Sequence, residues 1–449
     1  MALKTALLQI GLPLLLTAGP LPGQRSPIQW PVPPPGPPRE VVLPRILTAA
    51  GELAGDGKTG LSFVFLDARE TGFEAGHAAG AAAAWREAEE PEGPSELRSG
   101  LAARGISGVE AVVLYGDDRE RVARLFWRLR SAGCKDVRIL KGGLAAWRVA
   151  GGAIETGPSR REPAGRFVPP PDGDAAVGTD WVAQVFFRED VALLDLRDAR
   201  GWDRWRTPPV YATGHIPSAL PFDPRALLPA DGGWPEPAAL RERLGQIGAR
   251  AGDPVPPGST FVLYAVDGHD PRLGLAYLMF ALAGLDARVY PAGWSGWRSD
   301  PARPVMRVIS AAELAGLLKR KNPDLRRDLK PDGLVLLDLR EARDFRIGHL
   351  PGAASLPFVR FPDVFQTEIA ASWPQASRAT PLVLYCYGIE CVRSLKAGTQ
   401  AARAGFRDLV WFRGGVQEWR DSGYPLLVSA PATRAPLPPA SPGDEGGHP

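Results

Sequence analysis

Two cysteines in one loop are the residues of this 449-residue chain best suited to covalent chemistry: Cys386-Tyr-Gly-Ile-Glu-Cys391-Val-Arg393-Ser394. An apolar run ending at Tyr385 precedes the loop, and a helical pattern closed by Gly405 follows it. A thiol attacks only as its anion, and an ordinary cysteine, with a pKa of about 8.5, is only a few per cent ionised near pH 7. Backbone N–H groups curling round the sulfur, with the positive end of the next helix, stabilise that anion. Gly388 permits the tight backbone such a turn requires. Arg393 offers a fixed cation for an anionic substrate, and Ser394 is expected to cap the helix and add a hydroxyl donor. Cys386 directly follows the run, so its sulfur belongs at the bottom of the cradle. Cys391 lies further along and should be more exposed. Glu390 counts mildly against activation, because a nearby anion raises a thiol pKa.

The elements that would position this loop occur three times. An apolar run ends in Asp-x-Arg at Asp67/Arg69, Asp195/Arg197 and Asp338/Arg340, spaced 128 and 143 residues apart. A Gly-His pair follows each: Gly76-His77, Gly214-His215 and Gly348-His349. A second apolar run then ends at Tyr115, Tyr264 or Tyr385, and a helical pattern at Gly133, Gly284 or Gly405. Each unit closes on a Gly-rich turn with a tryptophan beyond it, at Trp147, Trp297 and Trp419. The second unit is lengthened between Asp195 and Tyr264 by Pro- and Trp-rich segments around Trp205 and Trp234. Continuous Val- and Leu-rich runs indicate strands buried on both faces of a parallel sheet. The segments between them have helical period, as in Ala311-Glu313-Leu314-Leu317-Leu318, with Ser310 as N-cap. The fold class is therefore α/β, with three tandem doubly wound parallel-sheet domains whose sites lie at the carboxyl ends of strands.

The ordered set of motifs resembles the rhodanese (thiosulfate sulfurtransferase) domain. The third unit carries it most fully, in LLDLRE, GHLPGAASLPF, VLYC and FRGGVQEW; GHIPSALPFD in the second and LKGGLAAW in the first add to it. The resemblance implies a cysteine after the central strand that accepts sulfur as a persulfide. Gly116, Ala265 and Cys386 stand at that position. Asp117 and Asp118 in the first loop, and Asp267 and Asp270 in the second, would also repel an anionic donor. The third domain is thus the candidate active one, with Cys386 as nucleophile and Arg393, Ser394 and Gly388 as substrate-binding residues. Its loop is longer than the common single-cysteine form and resembles a subgroup of exported bacterial relatives. It carries a possible second thiol, Cys391, and its Cys-x6-Arg spacing departs from the Cys-x5-Arg of phosphatases on this fold. The implied partners are a small-molecule sulfur donor, a thiol or cyanide acceptor, and a protein sulfur acceptor; no cofactor or metal is called for. Two alternatives stay open: a thiol–disulfide or sulfur-relay protein using Cys386 and Cys391, and a non-catalytic sulfur-carrier or docking module. A disulfide requires the two α-carbons to lie within roughly 7 Å.

Other residues read as structural. Asp338 and Arg340 form an ion pair at a strand end, His349 is a turn residue, and the tryptophans are core. His269 is a solvated loop residue and Cys134 an inert thiol.

Hydrophobic residues at 45% and charged residues at 23% describe a globular chain, and the net charge of +3 gives no basic face for nucleic acid. No apolar run of about 18 residues exists, which excludes a transmembrane bundle. Residues 1–23 read as a signal peptide, with Lys4 before the apolar stretch Ala6–Thr17 but Pro20 beside a poor cleavage site, so the protein is expected to be periplasmic or secreted. Residues 24–40 form a Pro-rich linker with seven prolines between Pro27 and Pro38. The domains are expected at 41–155, 175–304 and 305–428, before a disordered tail at 429–449.

Overall fold

The computed structural model of the chain describes residues 46–55, 63–168, 175–197, 209–247, 255–320, 322–331 and 333–429. The leader, the proline-rich segment, the insertion around Trp205 and the tail from 430 lie outside the described residues.

One sheet order recurs in each unit. Across the third sheet the strands run Val305–Val308, Asp408–Phe412, Leu382–Tyr385, Val335–Asp338 and Ala354–Ser355. The first runs Leu47–Thr48, Val137–Leu140, Ala111–Tyr115, Phe63–Asp67 and Ala82–Ala83. The second runs Ala287–Val289, Thr260–Tyr264, Val191–Asp195 and Leu220–Pro221, with Ala176 bridged to Val289 at the edge. Every pairing within these sheets is parallel among the described residues.

Successive side chains on a strand point to opposite faces, which divides the core into two layers. In the third unit Leu336, Val383, Val410 and Phe412 meet Leu314, Leu318 and Trp419 on one face. Leu337, Leu384, Leu409 and Trp411 meet Leu395, Ala397 and Ala401 of helix Arg393–Arg403 on the other. Ser310 caps helix Ala311–Lys319 in a reciprocal box with Glu313, as the sequence predicts.

The repeated Asp-x-Arg is a keystone under the Gly-His turn. Arg340 reaches Asp338 at 2.7 Å and donates to the Gly348 carbonyl at 2.5 Å. Arg69 and Arg197 repeat both contacts with Asp67 and Gly76, and with Asp195 and Gly214. The Tyr385 hydroxyl accepts from the Leu350 amide at 3.3 Å, as Tyr115 accepts from Ala78. Burial, then the Asp338 charge, pushes the Tyr385 hydroxyl well above its usual range, so it remains a neutral donor. His349 stacks on Phe345 with ring centroids 3.9 Å apart and bonds the Phe345 carbonyl through Nδ1. Trp147, Trp297 and Trp419 each donate Nε1–H to a backbone carbonyl six or seven residues on.

The units share cores. Helices Arg119–Ala132 and Pro271–Ala283 pack together, and a side chain at Gly274 would collide with the Arg124 backbone. Arg119 also donates to the Pro229 and Gly233 carbonyls, so the inserted segment near Trp234 leans on the first unit. His215 exchanges backbone hydrogen bonds with Met306, joining the second unit to the first strand of the third. Burial, then the Arg197 charge, lowers the His215 pKa to about 3, so its ring is neutral in that junction.

Candidate active site

Strand Leu382–Tyr385 ends at Cys386, whose side chain is fully buried, whereas Cys391 is half-buried. That is the order of exposure the sequence predicts. The Cys386 sulfur lies 3.2 Å from the Cys391 carbonyl oxygen and 3.4 Å from the Ser394 hydroxyl. The two α-carbons are 6.4 Å apart, within the disulfide limit, and the two sulfurs are joined. The loop can therefore hold an oxidised pair, and Cys386 attacks nothing until that bond is reduced.

Ser394 corrects an expectation. It caps nothing: helix Arg393–Arg403 starts one residue before it, with Val392 at the N-cap and no side-chain cap. Nor does it line a substrate mouth, because it is fully buried beneath Cys386. Trp411 explains its role and was missed in the sequence. The indole N–H donates to Ser394 Oγ at 2.9 Å, occupying an acceptor position and leaving the hydroxyl hydrogen free to point at Cys386. Trp411 is the fourth residue of strand Asp408–Phe412, where the apolar pattern alone marks it as core.

Arg393 is about a third exposed and lies 3.4 Å from Glu341, which offsets part of its charge. The ring of Tyr387 sits near two cations, with the Arg340 and Arg393 guanidinium carbons 5.8 and 5.6 Å from its centroid. Its hydroxyl donates to Asp344 at 2.5 Å. Sequence reasoning assigned Tyr387 no role; its contact to Asp344, across 43 residues, is invisible in a linear motif. Glu390 is exposed. Gly388 is buried, and a β-carbon there would come within 2.8 Å of Gln417. That neighbour is the mobile amide end of Gln417, so a small side chain at this position calls for a shift of Gln417.

The Gly-rich turn clamps the loop from below. Gly415 has φ +55°, and a side chain there would collide with the Cys386 carbonyl. The Val416 and Gln417 amides donate to the Cys386 and Tyr387 carbonyls at 3.1 and 3.0 Å. In the second unit, Gly293 and the Trp294 amide hold Ala265 in the same way.

In the first two units a carboxylate caps the helix that follows the equivalent loop. Asp118 accepts from the Glu120 and Arg121 amides at the start of helix Arg119–Ala132. Asp270 accepts from the Arg272 amide at the start of Pro271–Ala283. In the third unit the corresponding helix start carries no such cap. His269 is exposed, bonded through its backbone to Asp267.

The family model described as the rhodanese-like domain matches residues 49–150, 179–300 and 310–422. The chain belongs to the rhodanese-like family. A Mycobacterium tuberculosis protein, SseB, named for thiosulfate sulfurtransferase activity, is 37% identical over 221 residues, covering 48% of this chain and 74% of its own. A Pseudomonas aeruginosa protein named for 3-mercaptopyruvate sulfurtransferase activity is 35% identical over 216 residues, 47% of this rhodanese-like chain and 73% of its own. The crystal structure of YnjE, the name of an Escherichia coli thiosulfate sulfurtransferase, is 22% identical over 59% of this chain and 69% of that one, with a TM-score of 0.47. Among the described residues no helix is long and apolar enough to cross a membrane.

Proposed function

We propose that this rhodanese-like protein moves sulfane sulfur through a persulfide on Cys386, from an anionic donor such as thiosulfate to a thiol or cyanide. Family membership and relatives named for sulfur transfer support the sulfurtransferase activity as such. One observation carries the assignment to Cys386. Of the three equivalent positions, only the third offers a nucleophile beneath a helix start without a carboxylate cap. The Cys386 thiolate attacks the outer sulfur of thiosulfate, the sulfur–sulfur bond breaks, and sulfite leaves with the bonding pair. An acceptor thiolate or cyanide then attacks the outer sulfur of the persulfide, and Cys386 departs as thiolate. Ser394, held by Trp411, donates to that thiolate in both steps. The deciding experiment alkylates the reduced protein during its first turnover with thiosulfate and maps the peptides. The added sulfur is expected on Cys386, and finding it on Cys391 overturns the assignment.

Arg393 is assigned to the donor anion. Arg393→Ala should raise KM for thiosulfate roughly tenfold, the factor set by about 1.4 kcal/mol of lost binding. Glu341→Gln should lower it, because the competing carboxylate is removed. Unchanged thiosulfate kinetics in both variants would place the cation elsewhere.

A second reading, thiol–disulfide cycling, is favoured by the joined sulfurs of Cys386 and Cys391. We also propose that the protein is exported and loses its leader near Gly23. N-terminal sequencing of protein from its native host tests this. An intact Met1 in a cytosolic fraction refutes it.

A further inference from the structure

The persulfide account leaves Cys391 without a task, yet it is the residue whose sulfur meets that of Cys386. We infer that Cys391 resolves the Cys386 persulfide internally, releasing hydrogen sulfide and leaving the Cys386–Cys391 disulfide; this rests on the persulfide reading above.

A persulfide offers two electrophilic sulfurs, and attack on each gives a different product. A nucleophile that takes the outer sulfur completes a transfer. One that attacks the inner sulfur, the Sγ of Cys386, expels the outer sulfur as hydrosulfide. Cys386 is fully buried, so a thiol from solution reaches only the outer atom. Cys391 approaches from within the loop, with α-carbons 6.4 Å apart, inside the range in which two cysteine sulfurs bond directly. A third sulfur between them would need a wider span. The geometry therefore favours attack on the inner sulfur over passage of the outer sulfur to Cys391.

The step balances. Cys391 Sγ forms a bond to Cys386 Sγ as the Cys391 thiol proton passes to the outer sulfur of the persulfide anion, the bond from Cys386 Sγ to that outer sulfur breaks, and hydrosulfide leaves with the electron pair. Two thiol sulfurs are oxidised to a disulfide while the sulfane sulfur is reduced to sulfide. An external dithiol, entering at the half-buried residue Cys391, supplies two electrons and restores both thiols. The two-cysteine loop thus has two outlets: transfer when an acceptor reaches the outer sulfur first, and sulfide release when none does. Hydrosulfide departs more readily than an alkyl thiolate because hydrogen sulfide is the stronger acid, and better leaving groups speed thiol exchange.

The test is a single turnover on the full chain. Reduced wild-type protein and the Cys391→Ser and Cys391→Ala variants are freed of reductant and given equimolar thiosulfate. Free sulfide and intact mass are then followed without acceptor. The wild type should release sulfide equimolar with protein and end with Cys386 and Cys391 joined. Both variants should lose the release and keep one added sulfur on Cys386. Cys134 does not confuse the count, because burial pushes its thiol up to about 12. If the variants hold a persulfide and the wild type holds it equally, with no sulfide, internal resolution is refuted while the transferase reading stands. If neither variant gains sulfur, the persulfide reading itself fails, and this inference with it.

Discussion

Cys386→Ser in the full chain should abolish persulfide formation and lower transfer of sulfur from thiosulfate to cyanide by roughly 10³-fold or more, as loss of a covalent nucleophile does. No other unit can compensate, because Gly116 and Ala265 occupy the equivalent positions and carboxylates cap the helices beyond them. Cys391→Ser should keep the transfer to cyanide and increase its yield, since the competing internal attack is gone. The contrast separates the readings. A thiol–disulfide mechanism needs both sulfurs, so both substitutions would be equally damaging to it. Serine differs from cysteine by one atom, and Cys386 lies between the Ser394 hydroxyl and the Cys391 carbonyl, both suited to a hydroxyl. Loss of activity therefore reports chemistry rather than unfolding. Trp411→Phe offers a graded companion, because it leaves Ser394 unanchored with Cys386 intact. Retained turnover in Cys386→Ser would remove the site from the third unit altogether.

What the sequence made legible follows from how local each feature is. Strands such as Leu382–Tyr385 are buried on both faces and read as unbroken apolar runs, so three parallel sheets could be expected without structure. The Asp-x-Arg ion pairs join residues two apart, and their repetition around positions without a nucleophile marked them as architecture. The cysteine loop was legible because cysteine is rare here and follows a strand. Contacts between distant segments were not legible. Trp411 reaches Ser394 across 17 residues, and Tyr387 reaches Asp344 across 43, by register between neighbouring elements. Ser394 was misread because capping was inferred from residue type beside a helix start. The first helical residue is Arg393, so the serine points inward with the apolar face of the helix. The packing of helix Arg119–Ala132 on the second unit was equally hidden; only Gly274, in the largely apolar helix Pro271–Ala283, marks the close backbone approach.

The largest effect on stability is expected at the keystone rather than at the thiol. Asp338 is fully buried and accepts three hydrogen bonds from the Arg340 side chain and one from its amide. Removing one partner of a buried pair leaves the other charge in low dielectric, a cost of about 3–5 kcal/mol. Asp338→Ala should incur that cost, while Asp338→Leu with Arg340→Met should recover much of it, because no charge is then stranded. Global unfolding of a chain whose domains share cores is not a single two-state event, so a local reporter is needed. The cysteines provide one. In the reduced protein Cys386 and Cys134 are both buried, in the third and first units, and each reacts with a thiol reagent only when its surroundings open. Pulse labelling across a urea series should show the Cys386 midpoint lowered in Asp338→Ala by about 1 M or more, given a urea dependence of about 1–3 kcal/mol per molar. Cys134 should move less, since it lies two units away. If the double substitution is as harmful as the single one, the unpaired charge is not the cause. The cost would then lie in the lost grip of Arg340 on the Gly348 carbonyl, which holds the turn above Tyr385.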